Sequence, residues 1–230
     1  VFTLSKDGSG TLSKEANAKP GSFETVARGP DDLAALLYTS GTTGRSKGAM
    51  LSHKNLLSNA VSLTDLWQIK ASDRLIHALP LFHTPGLFVA INTALLAGAE
   101  VRFMGAFDVE TIIAELPGST LMMGVPTFYT RLLDDGRLTK DLVANMRLFV
   151  SGSAPLLAET HTAFEGRTGH RILERYGMTE TNMITSNPYA GERLAGTVGY
   201  ALPGTEVEIT DNGRPVAAGE VGMIEVRGDN

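Results

Sequence analysis

Apolar residues recur along this chain in short runs, and the period of those runs decides what each one forms. Leu33 to Tyr38 is apolar at nearly every position and reads as a buried strand. Ala49 to Leu51 is a second short run, and Ser52 beyond it is placed to cap a helix whose apolar residues Leu56, Leu57, Ala60, Val61 and Trp67 return at helical spacing. After Asp73 strands and helices alternate. Strands are predicted over Leu75–Leu79, Val101–Met104, Leu121–Val125, Leu148–Ser151 and Ile172–Glu174. Between them lie predicted helices over Gly86–Leu96, stopped by Gly98, and over Val109–Leu116, Thr127–Asp134 and Leu157–Thr168. Such alternation implies an α/β fold with a mostly parallel sheet flanked by helices, and in such sheets ligands sit at the carboxyl ends of the strands.

The two ends of the chain differ from this middle. Residues 1–30 are polar and punctuated by Gly8, Gly10, Pro20, Gly21, Gly29 and Pro30, which reads as surface segment and linker with one edge strand near Phe2–Leu4. From about Thr197 the period becomes two. Glu206–Ile209 and Met223–Val226 alternate, and Asn212-Gly213 suits a tight turn between them, the start of a small antiparallel β unit. The expected organisation is a surface segment (1–30), an α/β nucleotide- and acyl-binding unit (31–195) and the start of an antiparallel β subdomain (196–230).

Composition narrows the possible roles. A net charge of −5 with no basic block speaks against a nucleic-acid partner, and the absence of cysteine removes disulfides and thiol nucleophiles. The longest apolar run, Gly86 to Ala99, is broken by Asn92 and is too short to span a bilayer. The chain starts at Val1 and reads as a fragment of a longer protein.

The densest chemistry lies in Tyr38-Thr39-Ser40-Gly41-Thr42-Thr43-Gly44-Arg45-Ser46-Lys47-Gly48. Glycine lets a backbone approach a ligand closely, hydroxyls and N–H groups can surround phosphate oxygens, and Lys47 brings a mobile charge. An ordinary glycine-rich turn needs neither the hydroxyls nor the lysine. The Walker A spacing is absent. The stretch resembles the phosphate loop of the adenylate-forming enzymes: acyl-CoA synthetases, firefly luciferase and peptide-synthetase adenylation domains.

Four further segments resemble motifs of that family, in its order. Glu174-Arg175-Tyr176-Gly177-Met178-Thr179-Glu180 is similar to its Y-G-x-T-E motif. The resemblance implies Tyr176 stacked on adenine, Thr179 at the α-phosphate and Glu180 on Mg²⁺, with Gly177 and Met178 beside the nucleotide. Pro80-Leu81-Phe82-His83-Thr84-Pro85-Gly86 is similar to its P-x-F-H-x-x-G segment, whose histidine borders the acyl pocket; a lone loop histidine is otherwise more often structural. Ser151-Gly152-Ser153-Ala154-Pro155-Leu156 looks like its adenine-side loop, placing Gly152, Ser153 and Ala154 at the nucleotide. Gly196 to Gly204 resembles the motif that ends the pocket.

The resemblance therefore implies ATP, Mg²⁺ and coenzyme A as partners. Lys47, His83, Thr179 and Glu180 are the expected catalytic residues, and Thr39, Ser40, Gly41, Thr42, Thr43, Gly44 and Lys47 the expected phosphate cradle. Two arginines bear on the acid. Arg131 lies on the helix that lines the family's acyl pocket, and Arg175 precedes the adenine-stacking tyrosine. With His83 and Ser153 they favour a site for a second carboxylate, although either could be a solvated surface residue. The stretch around Ile172–Asn182 is most similar to malonyl-CoA synthetases, which implies malonate as substrate, with methylmalonate or another short acid as the alternative. A non-catalytic nucleotide-binding piece is the reading outside that class. The family's ribose-binding aspartate, and its C-terminal domain with the catalytic lysine, are expected beyond Asn230, so the fragment is expected to be inactive alone. The expected compartment is the cytoplasm, with the mitochondrial matrix as the alternative.

Overall fold

Successive strand residues face opposite ways, so a run that is apolar at every position needs cover on both sides. That requirement sets the architecture. The computed structural model describes residues 1–39 and 46–230. Its elements begin with α1 (Thr11–Asn17), β1 (Leu33–Thr39), β2 (Lys47–Ser52), α2 (His53–Leu66) and β3 (Arg74–His77). A π-helical stretch (Pro85–Ile91) runs into α3 (Asn92–Ala97), followed by β4 (Glu100–Phe103), α4 (Val109–Glu115), β5 (Leu121–Gly124) and α5 (Pro126–Leu133). Then come β6 (Leu148–Ser151), α6 (Ala158–Thr168), β7 (Leu173–Met178), β8 (Asn182–Ser186) and β9 (Tyr200–Ala201). The chain closes with β10 (Thr205–Asp211), β11 (Arg214–Pro215) and β12 (Met223–Gly228).

Seven strands form the main sheet in the order β4-β3-β5-β6-β7-β8-β9. Pairing is parallel from β4 to β7 and antiparallel for β8 and β9. Leu75, Leu121, Leu148 and Leu173 face one core with Leu63 of α2, Trp67 just past its end, and Ala94 of α3. Their strand neighbours Ile76, Met122 and Phe149 face the other with Ile112 of α4, Leu132 of α5 and Phe164 of α6. Alternate residues thus serve opposite cores, as the continuous apolar runs require.

Polar contacts fasten the amino ends of three neighbouring strands. Asp73, buried just ahead of β3, accepts from the Thr120 hydroxyl at 2.8 Å and from Arg147 Nε at 2.8 Å. Its other oxygen accepts from the Lys70 amide at 2.7 Å and pairs with Arg147 Nη2. Arg147 also donates to the carbonyls of Trp67 and Gln68, at 3.1 and 3.0 Å, closing the end of α2 onto β6. Burial pushes the Asp73 carboxyl up, but the Arg147, Lys70 and Thr120 hydrogen bonds outweigh it and hold the group below its ordinary 3.8.

Several elements match the sequence reading closely. Ser52 caps α2, accepting from Asn55 N at 3.1 Å while the Asn55 side chain accepts from Ser52 N at 2.8 Å. The π-helical stretch and α3 end at Gly98, whose φ of 70° is a left-handed stop. The three-stranded sheet β11-β10-β12 forms the antiparallel unit.

Other readings need correction. The run Leu33–Tyr38 is not a buried strand: among the described residues it pairs only with β2, in a two-stranded hairpin, leaving Leu36 47% and Tyr38 71% exposed. Phe2–Leu4 is not a strand, and the opening segment instead carries α1, which has no buried residue. The turn Asn212-Gly213 joins β10 to the short β11, while β12 pairs with the other edge of β10. Glu174 to Met178 lies within β7 rather than in a turn beyond it. Among the described residues no helix is long and apolar enough to cross a membrane.

Candidate active site

The carboxyl ends of the parallel strands point the same way, so the segments that follow them gather at one edge of the sheet. There they enclose a cavity of about 630 Å³. The loop beyond β3 contributes Pro80, Leu81, Phe82 and His83, the segment beyond β4 contributes Phe107, and the first turn of α5 contributes Phe128. Ser153, beyond β6, completes the wall. The Phe107 and Phe128 rings stack at 4.0 Å. These walls are apolar apart from His83 and Ser153, which suits a carbon skeleton rather than phosphates.

The loop bearing His83 is held from below. Buried His77, the last residue of β3, donates Nε2–H to the Gly86 carbonyl at 2.8 Å and packs 5.4 Å from the Phe103 ring. The His83 amide donates to Pro80 O at 3.3 Å, and the His83 carbonyl accepts from Gly86 and Leu87. His83 itself is exposed at the cavity.

Arg175 is the unusual group. It is 5% exposed, has no carboxylate partner among the described residues, and its Nε lacks any hydrogen bond. Among the described residues its one side-chain hydrogen bond runs from Nη2 to Ser153 Oγ, at 3.5 Å, from the buried side of the cavity wall. Burial pushes the guanidinium down to about 10. Nearby Tyr129 is wholly buried, donates its hydroxyl to Val150 O at 2.6 Å, and is pushed up by the same desolvation. Arg131 lies elsewhere. It stands exposed on α5 with its guanidinium carbon 4.8 Å over the Phe107 ring, one aromatic layer outside the cavity.

The nucleotide-side candidates lie on the hairpin and on β7. Thr39 and Lys47 face each other where β1 and β2 meet, Thr39 Oγ1 lying 3.5 Å from Lys47 O. Ser40, Gly41, Thr42, Thr43 and Gly44 lie outside the described residues. Tyr176 and Gly177 are half-buried in β7, with a register break between them; Met178 ends the strand, and Thr179 and Glu180 follow at the turn into β8. Glu174, buried behind them, accepts from the Gly196 amide at 3.4 Å, and its carbonyl accepts from Asn187 N at 2.9 Å. It ties the Gly196–Gly204 segment to β7, and burial pushes its carboxyl up. Gly152 and Ala154 flank Ser153, which adopts a left-handed φ of 70°. The aromatic walls Phe107 and Phe128, and His77 beneath the loop, are not singled out by sequence pattern. Their only signal is position within or just beyond predicted strands.

An α/β sheet with an apolar cavity at its carboxyl edge, in a chain that carries a phosphate-loop sequence, describes an AMP-binding enzyme, and the chain belongs to that family, whose pattern matches residues 3–230. It is similar to the malonate–CoA ligase of Arabidopsis thaliana, 39% identical over 211 residues covering 83% of this chain and 35% of that protein. Its fold is like that of MatB from Rhodopseudomonas palustris, solved with ATP bound, at 56% identity and a TM-score of 0.95 over 100% of this chain and 46% of that one. It is also similar to a malonyl-CoA ligase solved as a ternary product complex with methylmalonyl-CoA and AMP, at 43% identity and a TM-score of 0.84 over 91% of this chain and 46% of that one. The chain thus spans less than half the length of these relatives.

Proposed function

We propose that the whole protein joins malonate to coenzyme A. A malonate carboxylate oxygen attacks the α-phosphorus of ATP, the bond to pyrophosphate breaks, and malonyl-AMP forms. The thiol of coenzyme A then attacks the acyl carbon and AMP leaves. Support comes from the family, from the malonate–CoA ligase of Arabidopsis thaliana and MatB as relatives, and from the apolar cavity whose wall includes Ser153. The observation that carries the choice of acid is Arg175, a buried guanidinium without a counter-ion behind Ser153 at the cavity wall. A planar fork that stays charged is suited to the far carboxylate of a short diacid. Arg131 is a second cation, and His83 borders the same cavity.

In this reading Thr39, Ser40, Gly41, Thr42, Thr43, Gly44 and Lys47 hold the ATP phosphates, where Lys47 offsets charge developing on the leaving pyrophosphate. Tyr176, with Gly177 and Met178, receives the adenine against Gly152–Ala154, and Thr179 meets the α-phosphate. Mg²⁺ favours substrate phosphates, waters and one or two carboxylates over a closed protein cage. The exposed carboxylate of Glu180 fits that demand, and the described residues hold no cluster of three metal-binding side chains. When bound there, the ion neutralises phosphate charge.

The cavity volume and its apolar walls favour a second reading within the class, an acid with more carbon, such as methylmalonate or another short-chain acyl group. The test is kcat/KM for malonate, methylmalonate, acetate and butyrate, in the whole protein and in Arg175→Met and Arg131→Ala. Charged contacts of about 1.5–3 kcal/mol translate into a diacid preference of roughly 10- to 150-fold. That preference should collapse in Arg175→Met. If both variants keep it, the malonate reading loses its physical basis. If ATP binds and no acid yields AMP, the protein binds nucleotide without catalysis.

A further inference from the structure

The seat of the Arg175 guanidinium is a backbone. A Cβ built on Gly152 would stand 2.5 Å from Arg175 Cζ, 2.5 Å from Nη1 and 2.7 Å from Nε. These distances are nearly equal, so the fork lies flat against the glycine. They are also far inside van der Waals contact, so even a methyl group and the fork cannot share the space. The glycine answers to space alone: its φ is not among the left-handed glycines of the chain, so alanine there meets no backbone strain. The adjoining Ser153 does take the left-handed conformation, and its hydroxyl is the side-chain group Arg175 reaches, at 3.5 Å. Gly152 and Ser153 together form a cradle for a cation at the wall of the acyl cavity, in a turn whose sequence otherwise reads as an adenine-side loop.

We propose that Gly152 is a specificity-determining residue: the missing side chain is what lets Arg175 stand beside the acyl cavity, and so what selects an acid carrying a second carboxylate. This rests on the reading of Arg175 as that carboxylate's partner. The obstacle to a side chain at 152 is the far end of a flexible arginine rather than packed backbone. A methyl group therefore displaces the fork and leaves the frame in place. Displacement of about 1 Å is enough to lose roughly 100-fold where binding depends on two aligned donors.

The test is a cycle of Gly152→Ala, Arg175→Met and the double variant in the whole protein. kcat/KM for malonate and acetate, KM for ATP, and Tm are read for each. Gly152→Ala should lower the ratio of kcat/KM for malonate to that for acetate by roughly 10- to 100-fold, because any effect on the nucleotide falls on both acids alike. Its Tm should stay within about 3 °C of the parent. In the Arg175→Met background the same substitution should change that malonate-to-acetate ratio by no more than about 3-fold, because the two residues act as one unit. Equal losses for malonate and acetate in Gly152→Ala would overturn the inference and return the glycine to the nucleotide loop. Should Gly152→Ala unfold, the double variant must recover the fold; one that stays unfolded also overturns it. Failure of the underlying reading looks different: Arg175→Met alone would then leave the diacid preference intact.

Discussion

Removing Arg175 should make the protein more stable and less selective at once. Desolvation is the dominant effect on this guanidinium, lowering it from the ordinary arginine range to about 10, with only Tyr129 opposing. At about 1.4 kcal/mol per pKa unit, the unrecovered cost of holding the charge in the fold is roughly 3 kcal/mol. Methionine is of similar length, carries no charge and adapts to irregular space, and the contact it forfeits is the long one to Ser153. Arg175→Met should therefore recover about 1–3 kcal/mol, which for a chain of this size raises Tm by roughly 2–10 °C. The sign with pH follows from the depressed value. The penalty is fully present below about 10 and fades as pH climbs above that value, so the gap between parent and variant should be flat across neutral pH. Malonate should then reverse the order. At 100 times its Kd a ligand adds about 2.7 kcal/mol to the parent and nothing to a variant that does not bind it. Thermal unfolding with and without malonate measures both effects. A variant less stable than the parent without ligand, or one that malonate stabilises equally, refutes this account of Arg175.

Lys47→Ala should slow ATP–pyrophosphate exchange by roughly 10- to 150-fold, the loss of a charge-assisted contact, while the urea midpoint hardly moves because Lys47 is exposed. Exchange at the parental rate would remove Lys47 from the phosphate site. Asp73→Asn leaves Arg147 without its counter-charge and should cost about 3–5 kcal/mol in urea unfolding. The Asp73 carboxyl is held below 3.8, so the parent's advantage is present above that pH and shrinks as the pH falls through the lower folded value. An advantage that survives unchanged in acid would show that charge is not its source.

What sequence reveals here follows from how each segment is buried. The runs at Leu121–Met123 and Leu148–Val150 are apolar on both faces because both faces meet cores, so their period and length identify them as parallel strands. β8 is equally buried yet escapes that test: Asn182, Thr185 and Ser186 are polar, and their cover comes from the fold around them. Leu33–Tyr38 misleads in the opposite direction. Its composition is that of a core strand, while its outer face, with Leu36 and Met50 side by side, stays open on the hairpin. Motif spacing marks His83, Ser153 and Tyr176. It says nothing of Phe107 stacking on Phe128, or of Gly152 and Arg175, separated along the chain, sharing one space. Those relations exist only once parallel strands have brought distant turns to the same edge.

The clasp of Asp73, Thr120 and Arg147 gives that edge its freedom. All three sit just before or at the start of β3, β5 and β6, at the opposite end of the strands from the cavity. One margin of the sheet is riveted by buried charge, and the other carries the segments that choose a substrate. The two can be altered independently. A lineage of such proteins could rewrite the turn at Gly152 or the fork at Arg175 for another acid and leave the rivets untouched, so new chemistry need not wait for a new frame.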